Sequence, residues 1–225
     1  LANRLQKVIE KIIICDQDAY IKGRYIGCNI CLVQDIYDLY ERNDEGAALI
    51  MLDFQKAFDY VEWNFMYKAL KMFNIGESFI HWIKTLYSDP QACIKNNGYL
   101  SRPVHLERSV RQGCPVSCLL FIIAVEVMAI AIRQNERLTG LKIGDNTEAI
   151  KIVQYADDGI LFVNDEYELT EGITEIIKFG DIAGPVLNIT KSEGLWLGNF
   201  KYRQNNCTLH DIKWSESPIR CLGIY

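Results

Sequence analysis

Three aspartates stand where a carboxylate is costly. Asp53 closes a continuous apolar run from Ala47 to Phe54, and Asp157 and Asp158 lie between two short apolar segments, Ala149 to Gln154 and Gly159 to Val163. A charge beside so much apolar chain needs a hydrogen-bonding partner or a cation. One Asp ending a buried strand and an Asp pair at an adjacent hairpin tip are the oxygen donors that two-metal phosphoryl transfer requires. Magnesium takes few protein carboxylates and leaves its other positions to water and phosphate. In the plainer reading, Asp157-Asp158 is a turn pair and Asp53 a strand-end cap. Spacing alone leaves both open.

The elements that must position these residues follow from periodicity. Leu1, Leu5, Val8, Ile9 and Ile12 share a helical face, so a helix is expected over Leu1 to Ile14. Asp16 to Gly27 is polar and reads as a loop; Ile30, Val33, Ile36, Tyr37 and Tyr40 restore a helical stripe. Ala47 to Phe54 is a strand buried on both faces. Helices follow over Val61 to Phe73 and Glu77 to Tyr87, and Asp59 suits a helix N-cap. Ala92 to Lys95 and Pro103 to Leu106 flank a turn at Asn96-Asn97-Gly98. A long apolar helix runs from about Val116 to Gln134, and an amphipathic one from Glu166 to Ile182. Leu187 to Ile189, Leu195 to Leu197 and Ile219 to Ile224 are candidate strands. The fold class is α+β: a sheet with helices packed on it, in one compact unit.

With 225 residues, 49% hydrophobic and 24% charged, the chain can bury a sizeable core and is not disordered. A net charge of -5 argues against a generic phosphate binder. Lys84, Lys95, Arg102, Arg108 and Arg111 nevertheless make the middle of the chain locally basic. The run Cys118 to Ile132 carries Glu126 and is short of a bilayer span, so it reads as a core helix. Among eight cysteines, Cys28 and Cys31 form a CxxC and Cys207 pairs with His210 in a metal-like spacing. Nothing brings those pairs together, and buried or half-buried reduced thiols are the expectation.

At these residues the chain resembles the reverse transcriptases of non-LTR (LINE-type) retrotransposons. Leu52-Asp53-Phe54-Gln55-Lys56-Ala57-Phe58-Asp59 resembles their first catalytic motif, and Arg111-Gln112-Gly113-Cys114-Pro115-Val116-Ser117 their RQGCPLS motif. Tyr155-Ala156-Asp157-Asp158 matches the YADD box, and Leu187-Asn188-Ile189-Thr190-Lys191-Ser192-Glu193 the segment after it. Asp16-Gln17 through Tyr20 to Gly23-Arg24 is similar to a fingers segment, and Cys221-Leu222-Gly223-Ile224 to the primer grip. The motifs stand in the family's order over nearly the whole chain.

The resemblance implies a right-hand polymerase palm with part of the fingers: residues 1–46 and roughly 75–110 fingers-like, 47–74 and 111–225 palm-like. The thumb and an upstream fingers motif with a triphosphate-binding arginine are expected outside it, so the isolated piece is expected to be weakly active or inactive. The implied activity is addition of dNTPs to a DNA primer on an RNA template, with two Mg2+ ions or Mn2+. Asp53 and Asp157 would ligate metal, with Asp158 the weaker carboxylate and the Phe54 carbonyl assisting. Phe58 would be the steric gate against a ribose 2′-OH. Gln112 and Gly113, with Tyr155, would meet nucleotide and template. Arg111 would neutralise phosphate and Lys191 protonate pyrophosphate. Lys22 and Arg24 would reach in from the fingers, and Leu222 and Gly223 would grip the primer. The resemblance implies an intracellular protein of cytoplasm and nucleus, with no membrane partner.

Each residue also has a plainer reading: Phe58 as core, Lys191 and Arg111 as solvated charges, Gly113 as turn chemistry. The chain departs from the family at Cys118 (usually Pro), Val116 (Leu), Ser109 (Gly), Gly159 (Thr) and Tyr20 (Phe), and Pro185 is unusual in its loop. An RNA-dependent RNA polymerase, or a silent RNA-binding relative, remains the alternative. Bulky Phe58 and the intact aspartates weigh against them.

Overall fold

A computed structural model of the chain describes residues 1–144, 147–202 and 211–215. The chain begins with a short helix α1 (Ala2–Gln6) and a 3-10 turn at Ile9–Lys11, then α2 (Ile26–Asn43) and strand β1 (Ala47–Leu52). Next come β2 (Phe54–Gln55), α3 (Ala57–Tyr60), α4 (Trp63–Met72) and α5 (Glu77–Leu86). Four short strands follow, β3 (Gln91–Ala92), β4 (Lys95–Asn96), β5 (Tyr99–Leu100) and β6 (Val104–His105), before the long helix α6 (Pro115–Gln134). The remainder is β7 (Ile152–Tyr155), β8 (Asp158–Val163), α7 (Glu166–Ala183), β9 (Val186–Leu187), β10 (Glu193–Leu197) and β11 (Lys213–Ser215).

Among the described residues the main sheet has the order β11-β10-β1-β8-β7. It is antiparallel except at its edge, where β10 and β11 run parallel. β1 is the centre, and every one of its residues is buried. Alternation splits the strands between two faces. Ala48, Ile50, Leu52, Ile152, Leu161 and Val163 pack with α4, α6 and α7. Leu49, Met51, Val153, Ile160 and Phe162 pack against Val33, Ile36 and Tyr40 of α2. A strand covered on both sides carries no polar alternation, which is why Ala47 to Leu52 is an unbroken apolar run.

α6 is apolar almost all round because it is the core helix. By composition and length it meets the requirements of a membrane span, yet 72% of its most apolar window is buried inside the protein. Pro115 at its first turn supplies a preset φ where no backbone N–H is needed. α7 starts at Asp165, whose carboxylate accepts from the Glu168 N–H at 2.8 Å, and stops at Gly184, φ +101. A Cβ on Gly184 would lie 1.9 Å from the Tyr60 carbonyl oxygen, so only glycine fits this helix end.

Several expectations are corrected. The helix expected over Leu1 to Ile14 ends at Gln6, and Ile9–Lys11 forms a separate 3-10 turn. The helix expected from Val61 starts at Trp63, with Glu62 extended at its N-cap, while Asp59 lies inside α3 and caps nothing. Cys28 and Cys31 are exposed, because α2 turns Asn29, Val33, Ile36 and Tyr40 inward and leaves them off that stripe. The hairpin after α5 is a nested pair, β3 with β6 and β4 with β5. Its inner turn places Asn97 and Gly98 both at positive φ, the requirement of a type I′ hairpin. Ile219 to Ile224, Cys207, His210 and the primer-grip residues Leu222 and Gly223 lie outside the described residues.

Candidate active site

The sheet register brings the aspartates together. Leu52 of β1 pairs with Gly159 of β8, so the next residue, Asp53, leads out opposite Asp158. Asp157 sits in the two-residue turn between β7 and β8, where Tyr155 pairs with Asp158. Asp53 and Asp157 are half-buried and Asp158 is exposed. Among the described residues, no basic side chain pairs with Asp53 or Asp157. Nor do three His, Cys, Asp or Glu side chains converge there into a closed metal cage. Two half-buried carboxylates without cationic partners suit an open magnesium site, which keeps most of its positions for water and phosphate. The donor set therefore fits a divalent cation as an incomplete site.

The backbone of Asp53 is held from below. Its N–H donates to the Ser192 Oγ at 3.2 Å, and its carbonyl accepts from the Asn188 N–H at 2.7 Å. The Ser192 hydroxyl in turn donates to the Asn188 carbonyl at 3.0 Å. Phe54 pairs with Leu187 in the small β2·β9 sheet. Lys191, exposed at the end of a 3-10 turn, is thereby carried next to the residue that grips Asp53.

Phe58 is half-buried and stacked on Phe121 of α6, with ring centroids 4.2 Å apart and planes at 12°. Tyr20 stands edge-on to Phe58 at 6.5 Å. Burial raises the Tyr20 hydroxyl pKa, and the neighbouring Cys118 and Asp157 raise it further. Phe58 and Asp157 thus share a neighbourhood bridged by Tyr20. The segment before α6 is laced to α3: the Val110 N–H donates to the Phe58 carbonyl at 2.8 Å and the Ser109 N–H to the Val61 carbonyl at 3.0 Å. That lacing delivers Arg111, Gln112 and Gly113, all exposed, beside Asp59, whose carboxylate accepts from Gln112 at a long 3.5 Å. Gly113 has φ +79 and open space where a Cβ would stand, so turn geometry requires glycine and leaves the approach clear.

Ser109, where the resemblance leads one to expect glycine, has φ +115, a region L-residues avoid. Its neighbours over-determine it: beyond its N–H bond, its carbonyl accepts from the Trp63 indole at 2.6 Å.

The fingers-like residues divide. Lys22 is exposed. Arg24 is committed elsewhere, donating to the carbonyls of Ile14 at 2.5 Å, Gln17 at 2.6 Å and Ile13 at 2.7 Å. Its role here is to shape the 13–18 loop. Sequence reasoning assigned no role to the residues beneath: buried Gln17, which bonds the Ala156 backbone, and a charged trio in which Arg133 binds both Asp16 and Glu126. Burial raises the Glu126 pKa to about 7 and also raises that of Asp16, despite the opposing pull of Arg133. Only the fingers motif marks Gln17; no periodicity would.

A reverse transcriptase (RNA-dependent DNA polymerase) family model matches residues 1–225. The chain is 32% identical over 222 residues to the Transposon TX1 uncharacterized 149 kDa protein of Xenopus laevis, covering 99% of this chain and 17% of that protein. It is 27% identical over 194 residues to a retrovirus-related Pol polyprotein from the type-1 retrotransposable element R2 of Popillia japonica, covering 85% of this chain and 26% of that protein. The fold resembles an apo telomerase from Candida tropicalis truncated from its C-terminal domain: TM-score 0.62, 13% identity, 87% of this chain and 39% of that one. The match over its whole length, on a sheet that gathers the aspartates at one end, means that the chain belongs to the reverse transcriptase (RNA-dependent DNA polymerase) family, related to the proteins of non-LTR retrotransposons.

Proposed function

We propose that the chain is the palm and partial fingers of a longer polymerase that adds deoxynucleotides to a DNA primer on an RNA template. The carrying observation is the register Leu52 to Gly159, which leads Asp53 out opposite the Asp157-Asp158 turn. Asp53 and Asp157 are the proposed magnesium ligands, with exposed Asp158 the weaker carboxylate and the Phe54 carbonyl assisting. Divalent cations held there, two Mg2+ or Mn2+, would supply charge neutralisation at the primer 3′-oxygen and the triphosphate.

The chain's own residues do the rest. The Phe58 ring, braced by Phe121, fills the space a 2′-hydroxyl would need, which selects deoxyribose. Gly113 lets backbone approach the base pair, and Gln112 and Tyr155 orient nucleotide and template. Exposed Arg111 and Lys22 offer charge to phosphate, and Lys191 offers a proton to the leaving pyrophosphate. Arg24 acts through the loop it holds and not by touching triphosphate. Residues 1–46 and roughly 75–110 are assigned to the fingers, the remainder to the palm, and the setting is intracellular.

Primer extension on an RNA template by a polypeptide containing this chain tests the reading. The expected result is strong preference for dNTPs over NTPs; preference for NTPs would overturn it.

A further inference from the structure

We propose that Gln17 is a positioning residue for Asp157: its buried side-chain amide clamps the backbone of Ala156 and so fixes the turn that presents the carboxylate. The inference rests on the reading of Asp157 as a cation ligand.

The β7–β8 turn is under strain. Ala156 has φ +58 in a two-residue hairpin turn, a position that favours glycine. Ala156 is also only 5% exposed, so neither its N–H nor its carbonyl can rely on water. Gln17, 0% exposed, satisfies both. The Ala156 N–H donates to the Gln17 Oε1 at 2.9 Å, and the Gln17 Nε2 donates to the Ala156 carbonyl at 3.3 Å. A primary amide presents one donor and one acceptor side by side, which matches a single residue's backbone pair. A carboxylate lacks the donor, and an apolar side chain lacks both.

The clamp is anchored on the hairpin's first strand and on the two helices beside it. Around Gln17 the backbone bridges to β7: the Gln154 N–H donates to the Asp16 carbonyl at 2.7 Å, and the Asp18 N–H to the Gln154 carbonyl at 3.2 Å. Asn29 of α2 donates to that Gln154 carbonyl at 3.2 Å. Arg24 ties the loop to itself, and Arg133 of α6 ties Asp16 to the core helix. Asp157 is the next residue after the clamped one, so releasing Ala156 frees the carboxylate while the sheet stays intact.

The test uses the 225-residue chain with Mn2+ as probe, its affinity read by electron paramagnetic resonance, and amide exchange at Ala156 read by NMR. Gln17→Met keeps the volume and removes both hydrogen bonds to Ala156, together with the one that the Gln17 Oε1 accepts from the Ala19 N–H at 3.0 Å. The expected result is faster exchange at Ala156 and Mn2+ affinity about 10-fold weaker or more, the usual cost of losing a partner that orients a ligand. Ile83→Val, at a buried position of α5, controls for general destabilisation and is expected to leave both readouts unchanged. Should Gln17→Met not fold, Gln17→Asn, too short by one methylene to reach, serves with the same expectation. Wild-type affinity in either folded Gln17 variant overturns the inference, provided that Asp157→Asn weakens Mn2+ binding. If Asp157→Asn also binds as wild type does, the reading of the metal site itself fails, and the inference with it.

Discussion

Replacing Glu126 with Gln should flatten the pH dependence of stability. Glu126 is 1% exposed in the middle of the core helix, held by Arg133, which also binds Asp16. One of its carboxylate oxygens is buried without a partner among the described residues. Burial raises its pKa from 4.5 to about 7, outweighing the attraction of Arg133. A folded-state value above the unfolded one means that the native state binds the proton more tightly. The stabilisation is therefore complete below pH 4.5 and is lost as pH rises to about 7. A shift of that size corresponds to about 3 kcal/mol at most, or roughly 6–12 °C in Tm for a chain of this length. Asp16, also raised by burial, adds slope of the same sign. Glu126→Gln keeps an acceptor for Arg133 and removes the titration. In thermal melts from pH 4.5 to 8 the variant should match wild type at the acid end and exceed it at pH 8. A variant that tracks wild type at every pH would refute this account of the buried trio.

Two further substitutions follow from local geometry. Ser109→Gly removes a side chain from φ +115 while keeping the backbone bonds to Val61 and Trp63, so stability should rise by about 1 kcal/mol in urea unfolding; a loss would mean the strain is not there. Phe58→Ala deletes the ring stacked on Phe121; ribonucleotide incorporation should rise at least ~10-fold relative to deoxynucleotide in single-nucleotide extension, and unchanged discrimination would remove Phe58 as the gate.

The centre of the molecule was readable from sequence because burial leaves a compositional trace. Ala47 to Leu52 and Val116 to Ile132 are apolar without alternation, since both faces of β1 and nearly all sides of α6 are covered. Asp53 and Asp157 stood out as charges set against such runs. What was not legible depends on partners distant in sequence. The spacing from Leu1 to Ile12 suits one helix, yet a separate 3-10 turn at Ile9–Lys11 places Ile9 and Ile13 in the core equally well. Lys213–Ser215 has no strand pattern. It joins the sheet edge because Trp214 stacks on Trp196 at 3.9 Å, over Gly194, where a Cβ would lie 2.5 Å from the Trp214 ring. Gln17 looked like part of a polar loop, and its partner Ala156 is 139 residues away. The family glycine at position 109 was visible as a departure, but its reason, a positive φ, was not.

The most direct test of the central claim is primer extension with Asp157→Asn in a polypeptide containing this chain, run beside a thermal melt. Asn keeps the size of the side chain and removes the charge at the turn. Loss of dNTP addition by roughly 100-fold or more, with Tm within a few degrees of wild type, is the predicted result. Extension near the wild-type rate by a folded Asp157→Asn protein would contradict the assignment of the Tyr155-Ala156-Asp157-Asp158 turn as the polymerase centre.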